Sequence, residues 1–351
     1  MTDRINNQSK ITIIGAGAWG TTLSWLLGNS GHSVTLWARR HEFAAQLQQQ
    51  RENRRYLPGV VLPELVTVTS DLPAALAGAE AVIIAVPSHG FRDVVVRVAE
   101  YISPGSLILS VVKGLERGTG MRMSQILTEE LTDPLAHPIV VLSGPNLSGE
   151  IVQGMPAVSV AASKSREAAE YIQRLLSSHH FRIYRNYDII GVELCGALKN
   201  IFAIASGISD GLGFGNNAKA ALITRGLTEI GRIGVQLGAE PATFWGIAGV
   251  GDLVATCNSQ LSRNWQVGRR IANGETLSAV QDSTPAVAEG IYTTLAAREL
   301  SAKLKIEMPV TQAVYRILFE GASPIAEVRH LMSRPHKAEV EPWQTASNRP
   351  E

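Results

Sequence analysis

The first half of the chain alternates short apolar runs with segments of helical periodicity. Five of the runs have the length and composition of strands buried on both faces, at 11–14, 34–37, 81–86, 107–112 and 139–142. Helical spacing appears between them, for example at 21–29 and 91–101, and a further strand–helix–strand pattern follows at 157–162, 166–178 and 181–184. This alternation predicts a doubly wound parallel sheet with right-handed crossovers.

The pattern changes near residue 190, where the strand-like runs stop. Amphipathic helical segments separated by glycines follow, at 191–208, 218–238, 263–273, 287–303 and 309–320. We therefore expect an α/β fold: a first domain formed by residues 1–190 around the sheet, then an all-helical C-terminal domain at 191–340. The polar and charged residues 341–351 are expected to form a loose tail.

Composition excludes several classes of protein. The net charge is +1, from 32 basic and 31 acidic residues, without the basic bias of proteins that bind nucleic acid. The N-terminus has no apolar signal-peptide core, and no apolar run approaches the roughly 20 residues of a membrane span. Cys195 and Cys257 lack metal-binding spacing. We expect a cytoplasmic protein with two free thiols, no metal, no nucleic-acid partner and no membrane span.

A glycine-rich motif, Gly15-Ala16-Gly17-Ala18-Trp19-Gly20, directly follows the first apolar run and opens a helical segment. That context distinguishes a dinucleotide site from an ordinary glycine-rich turn. Gly15 permits the tight turn, Gly17 leaves room for a pyrophosphate, and Gly20 lets the helix pack on the strand. The free N–H groups of the helix N-terminus then face the phosphates. The motif predicts a Rossmann-like sheet that binds NAD or NADP.

Two arginines follow the second apolar run. A strict NAD enzyme usually has an acidic residue there, bonded to the ribose 2′-hydroxyl. This chain has Arg39 and Arg40 instead, and Glu42 falls slightly later, inside the next helical segment. Because guanidinium groups grip phosphate through charge-assisted hydrogen bonds, the pattern favours NADPH. The alternative for Arg40 is a solvated surface charge.

Polar residues also follow three later strand-like runs. His89 follows one of them and is a secondary candidate for acid–base chemistry. Lys113 follows the next, and the segment 143–150, with Gly144, Asn146 and Ser148, follows the last. Strand carboxyl ends face the ligand crevice of such sheets, so a cation and a polar loop there suit a small anionic substrate.

Three features of the helical half suit the same substrate. Lys199 interrupts an apolar helix and borders a stripe of small or polar residues, Gly196, Asn200, Ala203 and Gly207, against which a ligand or a backbone can lie closely. Asp252 follows a glycine-rich segment at 249–251. Ser262 is a candidate N-cap that places Arg263 and Asn264 at a helix N-terminus, a natural phosphate site.

Together these motifs closely resemble the bacterial NAD(P)-dependent glycerol-3-phosphate dehydrogenase family over residues 11–331. The resemblance rests on GAGAWG at 15–20, NxxYLPG at 53–59, VPSH at 86–89, KGLE at 113–116, SGPN at 143–146, GVELCGALKN at 191–200, NAKAALITRGLTE at 217–229, GVGDLVATC at 249–257, SRN at 262–264 and VAEG at 287–290. It implies reversible reduction of dihydroxyacetone phosphate to sn-glycerol 3-phosphate, which supplies the backbone for phospholipid synthesis. It also favours a homodimer.

The resemblance further implies roles for individual residues. Lys199 would be the proton acceptor in glycerol 3-phosphate oxidation. The substrate would contact Lys113, Gly144, Asn146, Lys199, Asp252, Ser262, Arg263 and Asn264. The cofactor would contact Ala18, Trp19, Arg39, Arg40, Lys113, Ser148, Arg263, Val287 and Glu289. Asn146 and Ser148 depart from the family, in which Ser or Thr and Ala, respectively, are common.

Some alternatives remain open at this point. Asp252 either orients Lys199 or binds a substrate hydroxyl. A ketopantoate reductase would share the glycine motif and a catalytic lysine, but it needs no phosphate site at residues 262–264. A catalytically silent nucleotide sensor would be expected to lack Lys113 or Lys199, and this chain has both.

Overall fold

An eight-stranded sheet forms the centre of the first half of the molecule. The computed structural model describes residues 9–283, 287–336 and 338–339. The strands are β1 (Lys10–Ile14), β2 (Ser33–Trp37), β3 (Val66–Thr69), β4 (Ala81–Ile84), β5 (Leu107–Ser110), β6 (Ile139–Ser143), β7 (Ala157–Ala162) and β8 (Phe181–Asn186). Their order is β3-β2-β1-β4-β5-β6-β7-β8. The α/β prediction is confirmed.

The sheet is mostly parallel, and one pairing departs from that arrangement. Strand β7 pairs antiparallel with β6, although β7 and β8 are parallel to each other. The connection from β6 to β7 contains only the five-residue helix Ser148–Val152. We attribute the reversal to this short helix. A parallel neighbour would have to start at the same end of the sheet as β6, and the chain usually returns to that end through a longer helix.

Other departures concern the ends and number of strands. Strand β3 was not anticipated, because its four residues alternate Val with Thr and give a short, half-polar edge strand. Strands β4 and β5 end at Ile84 and Ser110, earlier than expected. The residues that follow, including Pro87, form the loops of the ligand crevice.

Helices cover both faces of the sheet. They are α1 (Ala18–Asn29), α2 (His41–Gln50), α3 (Leu72–Leu76), α4 (Phe91–Ala99), α5 (Met123–Glu130), α6 (Ser148–Val152) and α7 (Arg166–Leu176). Side chains alternate between faces along a strand, so Ile13 and Ile14 belong to two different apolar clusters. Burial on both sides explains why these strands are continuously apolar.

The second half is helical throughout the residues described. Its helices are α8 (Ile189–Gly211), α9 (Asn216–Gln236), α10 (Pro241–Phe244), α11 (Asp252–Asn258), α12 (Arg263–Ala272), α13 (Leu277–Asp282), α14 (Glu289–Leu304), α15 (Pro309–Phe319) and α16 (Pro324–Met332), with a π-helical turn at Ile247–Gly251. Cys195 and Cys257 are buried free thiols in its core. The expected tail at 341–351 lies outside the described residues.

Helix α8 is the core of this half. It is long and apolar enough to cross a membrane, but 94% of its most apolar window is buried inside the fold. Asp188 caps its N-terminus by accepting a hydrogen bond from the Gly191 N–H. This burial is what a central helix surrounded by other helices requires.

Helices α8 and α12 cross at very close range. A Cβ at Gly207 would lie 2.0 Å from the Trp265 carbonyl oxygen, and one at Gly268 would lie 1.9 Å from the Ile204 carbonyl oxygen. Of the two uses proposed for the small-residue stripe, close backbone packing is therefore the one found at Gly207. The crossing holds α12 against the helix that carries Lys199.

Candidate active site

One large cleft lies at the carboxyl ends of the strands, where the strand order reverses between β1 and β4. Its volume is about 1270 Å³. The predicted site residues that line it are Gly15, Gly17, Ala18, Trp19, Arg39, Arg40, Lys113, Asn146, Ser148, Lys199, Asp252, Ser262, Arg263, Asn264, Val287 and Glu289. The other two, Gly20 and Gly144, are buried and are not among the lining residues. Both halves of the molecule therefore contribute to one cleft.

The glycine-rich turn has the shape that a pyrophosphate requires. Gly15 has a φ of +114°, which disfavours any residue with a side chain. A Cβ at Gly20 would lie 1.9 Å from the Gly15 carbonyl oxygen, so the helix packs directly on the turn. Gly17, in contrast, has no atom within 4 Å of where its Cβ would be. The open space at Gly17, before the first turn of α1, fits a dinucleotide.

The predicted basic residues lie at the end of β2. Arg39 and Arg40 are exposed and line the cleft, and the Arg40 guanidinium stacks 5.5 Å from the centre of the Phe43 ring. Neither arginine forms an ion pair with any described residue. Glu42 lies in the first turn of α2, as expected. Two free cations thus stand where a carboxylate would bind the ribose of NAD.

Glu289 links helix α14 to the turn after β4. Its carboxylate accepts hydrogen bonds from the Ser88 N–H, at 3.0 Å, and from the Ser88 hydroxyl. Burial raises the pKa of Glu289, and the Ser88 hydrogen bonds partly oppose that shift. His89 stacks on Tyr292 with the ring centres 5.1 Å apart. This contact gives His89 a packing role at the cleft rim.

A bridging carboxylate joins the two lysines. The Lys199 ammonium donates to Asp252 Oδ1 and, at 2.6 Å, to Thr256 Oγ1. The Lys113 ammonium donates to Asp252 Oδ2 at 2.8 Å and to the Gly144 carbonyl at 2.6 Å. Gly144 therefore acts here through its backbone. Of the two roles left open for Asp252, the geometry supports orientation of Lys199.

Burial sets the charge balance of this group. Lys199 and Asp252 are only 6% and 1% exposed. Desolvation lowers the pKa of Lys199 to about 8; Asp252 opposes the shift and Lys113 adds to it. Burial alone would raise the pKa of Asp252, but the two ammonium groups hold it below its ordinary value. Lys199 is therefore an acid whose proton is released near physiological pH.

The start of helix α12 brings a guanidinium to the same cleft. Ser262 is the N-cap, because its hydroxyl accepts a hydrogen bond from the Trp265 N–H at 3.3 Å. Arg263 is the first helical residue and its side chain opens to the cleft. Desolvation by the surrounding protein lowers the pKa of Arg263, and the charge of Glu289 partly offsets this shift. A cation and free backbone N–H groups thus occur together.

Asn264 differs from its neighbours in having both ends of its amide engaged. Its Nδ2 donates to Asn200 Oδ1 at 2.9 Å, and its Oδ1 accepts from the Gly290 N–H at 2.9 Å. Asn200 in turn donates to the Lys113 carbonyl at 3.2 Å. This chain of amides connects α8, α12, α14 and the Lys113 loop.

Asn146 keeps a free donor beside the cleft. Its Oδ1 accepts a hydrogen bond from Ser159, whereas its buried Nδ2 has no partner among the described residues. An unsatisfied buried donor is costly unless a ligand completes it. This orphan amide therefore supports the predicted substrate contact of Asn146.

Thr256 and Asn200 line the cleft but were not predicted as site residues. Thr256 lies four residues after Asp252, and this spacing on a helix places both side chains on one face. Asn200 directly follows Lys199 and was noted only as part of the small-residue stripe. Among the described residues, no group of three or more His, Cys, Asp or Glu is placed to hold a metal ion.

Comparison with known proteins identifies the family. The sequence-family model for the NAD-dependent glycerol-3-phosphate dehydrogenase N-terminus matches residues 10–169. The family model for the C-terminus of the same enzymes matches residues 188–329. A protein of Geobacillus thermodenitrificans named glycerol-3-phosphate dehydrogenase (NAD(P)+) is 48% identical over 95% of this chain and 97% of its own length. The chain belongs to the NAD-dependent glycerol-3-phosphate dehydrogenase family. A member from Desulfitobacterium hafniense is 47% identical over 95% of this chain and 94% of its own length.

Solved structures agree with the family. A glycerol-3-phosphate dehydrogenase from Coxiella burnetii has a TM-score of 0.90 at 39% identity, covering 93% of this chain and 99% of that one. A ketopantoate reductase from Ralstonia eutropha has a TM-score of 0.58 at 14% identity, covering 91% of this chain and 99% of that one. The latter likeness shows a shared fold alone. As in the rest of its family, this chain's cofactor is a nicotinamide dinucleotide.

Proposed function

We propose that the chain catalyses reversible, NAD(P)H-dependent reduction of dihydroxyacetone phosphate to sn-glycerol 3-phosphate, the backbone of phospholipids. The observation that carries the proposal is the composition of the cleft. A dinucleotide turn, a buried proton-donating lysine and an arginine at a helix N-terminus all line one cavity. The substrate needs a hydride source, a proton source and a phosphate site, and the cleft offers a candidate for each.

Lys199 supplies the proton in this proposal, while the bound dinucleotide supplies the hydride. In reduction, the Lys199 ammonium protonates the carbonyl oxygen of the substrate. Asp252 and Thr256 hold the ammonium in place, and Lys113 shares the Asp252 carboxylate. In oxidation, the neutral Lys199 amine accepts the same proton. The depressed pKa of Lys199 allows both directions near neutral pH.

Arg263 binds the phosphate of the substrate, assisted by Ser262 and by the backbone N–H groups at the start of α12. Arginine matches phosphate geometry because its planar fork donates to two oxygens at once. Lys113, Asn146 and Asn264 surround the rest of the substrate, and Gly144 holds Lys113 in place through its carbonyl. Holding the phosphate fixes the position of the reacting carbon relative to Lys199.

The cofactor lies along the glycine-rich turn and contacts Ala18, Trp19, Ser148, Val287 and Glu289. NADPH is the favoured form, because Arg39 and Arg40 provide donors for the 2′-phosphate. We assign cofactor binding to a domain at 1–190 and substrate binding to a domain at 191–340. We further propose that the enzyme acts without a metal, in the cytoplasm and as a homodimer.

Product analysis tests the reaction. Purified protein is incubated with NADPH and dihydroxyacetone phosphate, and the products are identified by ³¹P NMR and enzymatic assay of the sn-3 isomer. We expect one glycerol 3-phosphate per NADPH consumed. A Lys199→Ala protein, purified in the same way, controls for contaminating dehydrogenases. NADPH consumption without glycerol 3-phosphate, or equal rates in both preparations, would refute the proposal.

A further inference from the structure

The segment Asn53–Gly59 borders the cleft, although none of the roles above involves it. Asn53 is buried, and its Nδ2 donates to the Ala16 carbonyl at 3.0 Å and to Thr21 Oγ1 at 2.7 Å. Its Oδ1 accepts from the Tyr56 N–H at 3.2 Å. Because Ala16 belongs to the glycine-rich turn, Asn53 ties this segment directly to the dinucleotide site.

The rest of the segment turns successive side chains in different directions. Leu57 is buried, and the Gly59 N–H donates to Glu52 Oε1 at 2.9 Å, which closes the loop. Arg55 and Tyr56 line the cleft. Arg54, the immediate neighbour, is not among the lining residues and pairs with Glu52 at 3.1 Å. Two adjacent arginines therefore have different surroundings.

A ladder of rings and guanidinium groups connects Arg55 to the predicted basic residues. Arg40 stacks on Phe43, the Phe43 and Tyr56 rings meet edge to face at 5.9 Å, and the Arg55 guanidinium lies 5.3 Å from the Tyr56 ring centre. Stacking on a ring holds a guanidinium while leaving its five N–H groups free to bind an anion.

Arg39, Arg40 and Arg55 are all exposed cations of one cleft, and none forms an ion pair with a described residue. The acidic side chain of the loop, Glu52, is engaged with Arg54 and the Gly59 N–H. Like charges gathered in one cleft repel, and an anion bound among them relieves that repulsion. The 2′-phosphate of NADPH lies at the adenosine end of the dinucleotide and carries a charge opposite to that of the arginines.

We propose that Arg55 is a third cation for the ribose 2′-phosphate and that Asn53 is its positioning residue. Together they strengthen the preference for NADPH over NADH. The inference rests on the proposed function only in requiring a nicotinamide dinucleotide at the glycine-rich turn, and it does not depend on which ketone is reduced.

Titration calorimetry with NADP⁺ and NAD⁺ tests the role of Arg55, because these two ligands differ only by the 2′-phosphate. Arg55→Gln is expected to raise the Kd of NADP⁺ about ten- to hundredfold, as the loss of one charge-assisted contact predicts. The Kd of NAD⁺ should stay within about twofold. The variant should also show a weaker dependence of NADP⁺ binding on salt.

Arg54→Gln is the matched control, since it removes the same charge one residue away. It should leave both dissociation constants within about twofold of those of the wild type. The role of Arg55 is overturned if Arg55→Gln weakens both ligands equally, if it leaves NADP⁺ binding unchanged, or if Arg54→Gln has the same effect. Arg55→Lys, which keeps the charge without the planar fork, should lose part of the NADP⁺ affinity.

A double-mutant cycle tests Asn53. Asn53→Ala should reduce the ratio of the NAD⁺ Kd to the NADP⁺ Kd in the wild-type background and leave that ratio unchanged in the Arg55→Gln background. If Asn53 had a purely structural role, Asn53→Ala would change the ratio of the two dissociation constants equally in both backgrounds, and that result would overturn its positioning role. Failure of the wild type to bind either dinucleotide would overturn both this inference and the proposed function. Failure to reduce dihydroxyacetone phosphate would count against the proposed function alone.

Discussion

A single carboxylate organises the chemistry at the scale of residues. Asp252 is almost wholly buried and accepts hydrogen bonds from two ammonium groups, Lys113 and Lys199. Burying charge without partners is costly, and here one anion compensates two cations. The group keeps a net positive charge, which suits a phosphorylated substrate whose carbonyl oxygen becomes negative during reduction.

Replacing Lys199 by alanine should abolish most turnover while preserving the fold. Loss of general acid catalysis typically costs about 10²- to 10⁴-fold in rate, and Asp252 keeps Lys113 as a partner in the variant. We expect kcat to fall by that factor and the Kd of NADPH, measured by calorimetry, to stay within about twofold. Lys303→Ala, on the exposed side of α14, is the control. A Lys199→Ala rate within a few fold of the wild type would contradict the assigned role.

The pKa of Lys199 predicts opposite pH profiles for the two directions. Its value of about 8 means that the ammonium loses its proton as the pH rises through 8. Reduction needs the ammonium, so kcat/KM for dihydroxyacetone phosphate should fall above that pH. Oxidation needs the amine, so kcat/KM for glycerol 3-phosphate should rise through the same range. Initial rates from pH 7 to 10 measure both, and a reduction profile that stays flat to pH 10 would argue against Lys199 as the acid.

At the scale of elements, helix α12 presents the proposed phosphate site as a preformed unit. Ser262 caps the helix, Arg263 opens it, and the close crossing at Gly207 and Gly268 holds it against α8. The guanidinium, the backbone N–H groups and the Lys199 ammonium are therefore carried by two helices in direct contact. Such rigidity favours precise placement of a bound phosphate.

Arg263→Lys should lose much of the phosphate binding although it keeps the charge. A lysine offers a point charge in place of a two-pronged donor. We expect kcat/KM for dihydroxyacetone phosphate to fall about ten- to hundredfold, with both kcat and KM affected because remote binding positions the reacting carbon. Arg269→Lys, at the other end of α12, is the control.

The comparison substrate for Arg263→Lys is dihydroxyacetone, which lacks the phosphate. Its slow reduction should barely change in the variant. An equal loss with both ketones would show that Arg263 supports the fold or the cofactor and does not bind the phosphate.

The elements differ in how far the sequence predicts them. Continuous apolar runs identify β1, β2, β4, β5 and β6, because double burial leaves a strong local pattern. Strand β3 and the antiparallel pairing of β7 depend on edge position and connection length, which no local pattern encodes. Among the site residues, Gly15 and Ser262 could be predicted because each has its role within its own turn or helix. Thr256 and Arg55 acquire their surroundings only when distant segments meet.

At the scale of the whole molecule, Glu193 connects the two halves through hydrogen bonds. This carboxylate on α8 accepts hydrogen bonds from the Ser124 N–H at 2.7 Å, from the Ser124 hydroxyl at 2.5 Å and from Arg122 at 2.5 Å, all at the start of α5. Burial raises the pKa of Glu193, and Arg122 and Ser124 oppose that shift. Because Lys199 lies on the same helix as Glu193, the contact helps to fix Lys199 relative to Lys113 across the cleft.

Glu193→Gln should therefore reduce both stability and turnover. The variant leaves Arg122 without its counter-charge, and we expect the free energy of unfolding to fall by about 1–3 kcal/mol. Small misplacement of catalytic groups is costly, so kcat should drop about tenfold or more. Urea unfolding and steady-state rates measure the two effects.

The double variant Glu193→Gln, Arg122→Gln controls for the unpaired charge and should regain part of the lost stability. If the losses of unfolding free energy caused by the two substitutions simply added in the double variant, Glu193 and Arg122 would not be a coupled pair.

The central claim is that this cleft reduces a ketone that carries a phosphate. The most direct measurement is the kcat/KM of the pure enzyme, with NADPH, for dihydroxyacetone phosphate, dihydroxyacetone and ketopantoate. We predict that dihydroxyacetone phosphate is preferred over dihydroxyacetone by more than about a hundredfold, since a two-pronged arginine contact and helix N–H groups bind the phosphate. Ketopantoate should react no faster than dihydroxyacetone. Comparable values for the two dihydroxyacetones, or a preference for ketopantoate, would contradict the account.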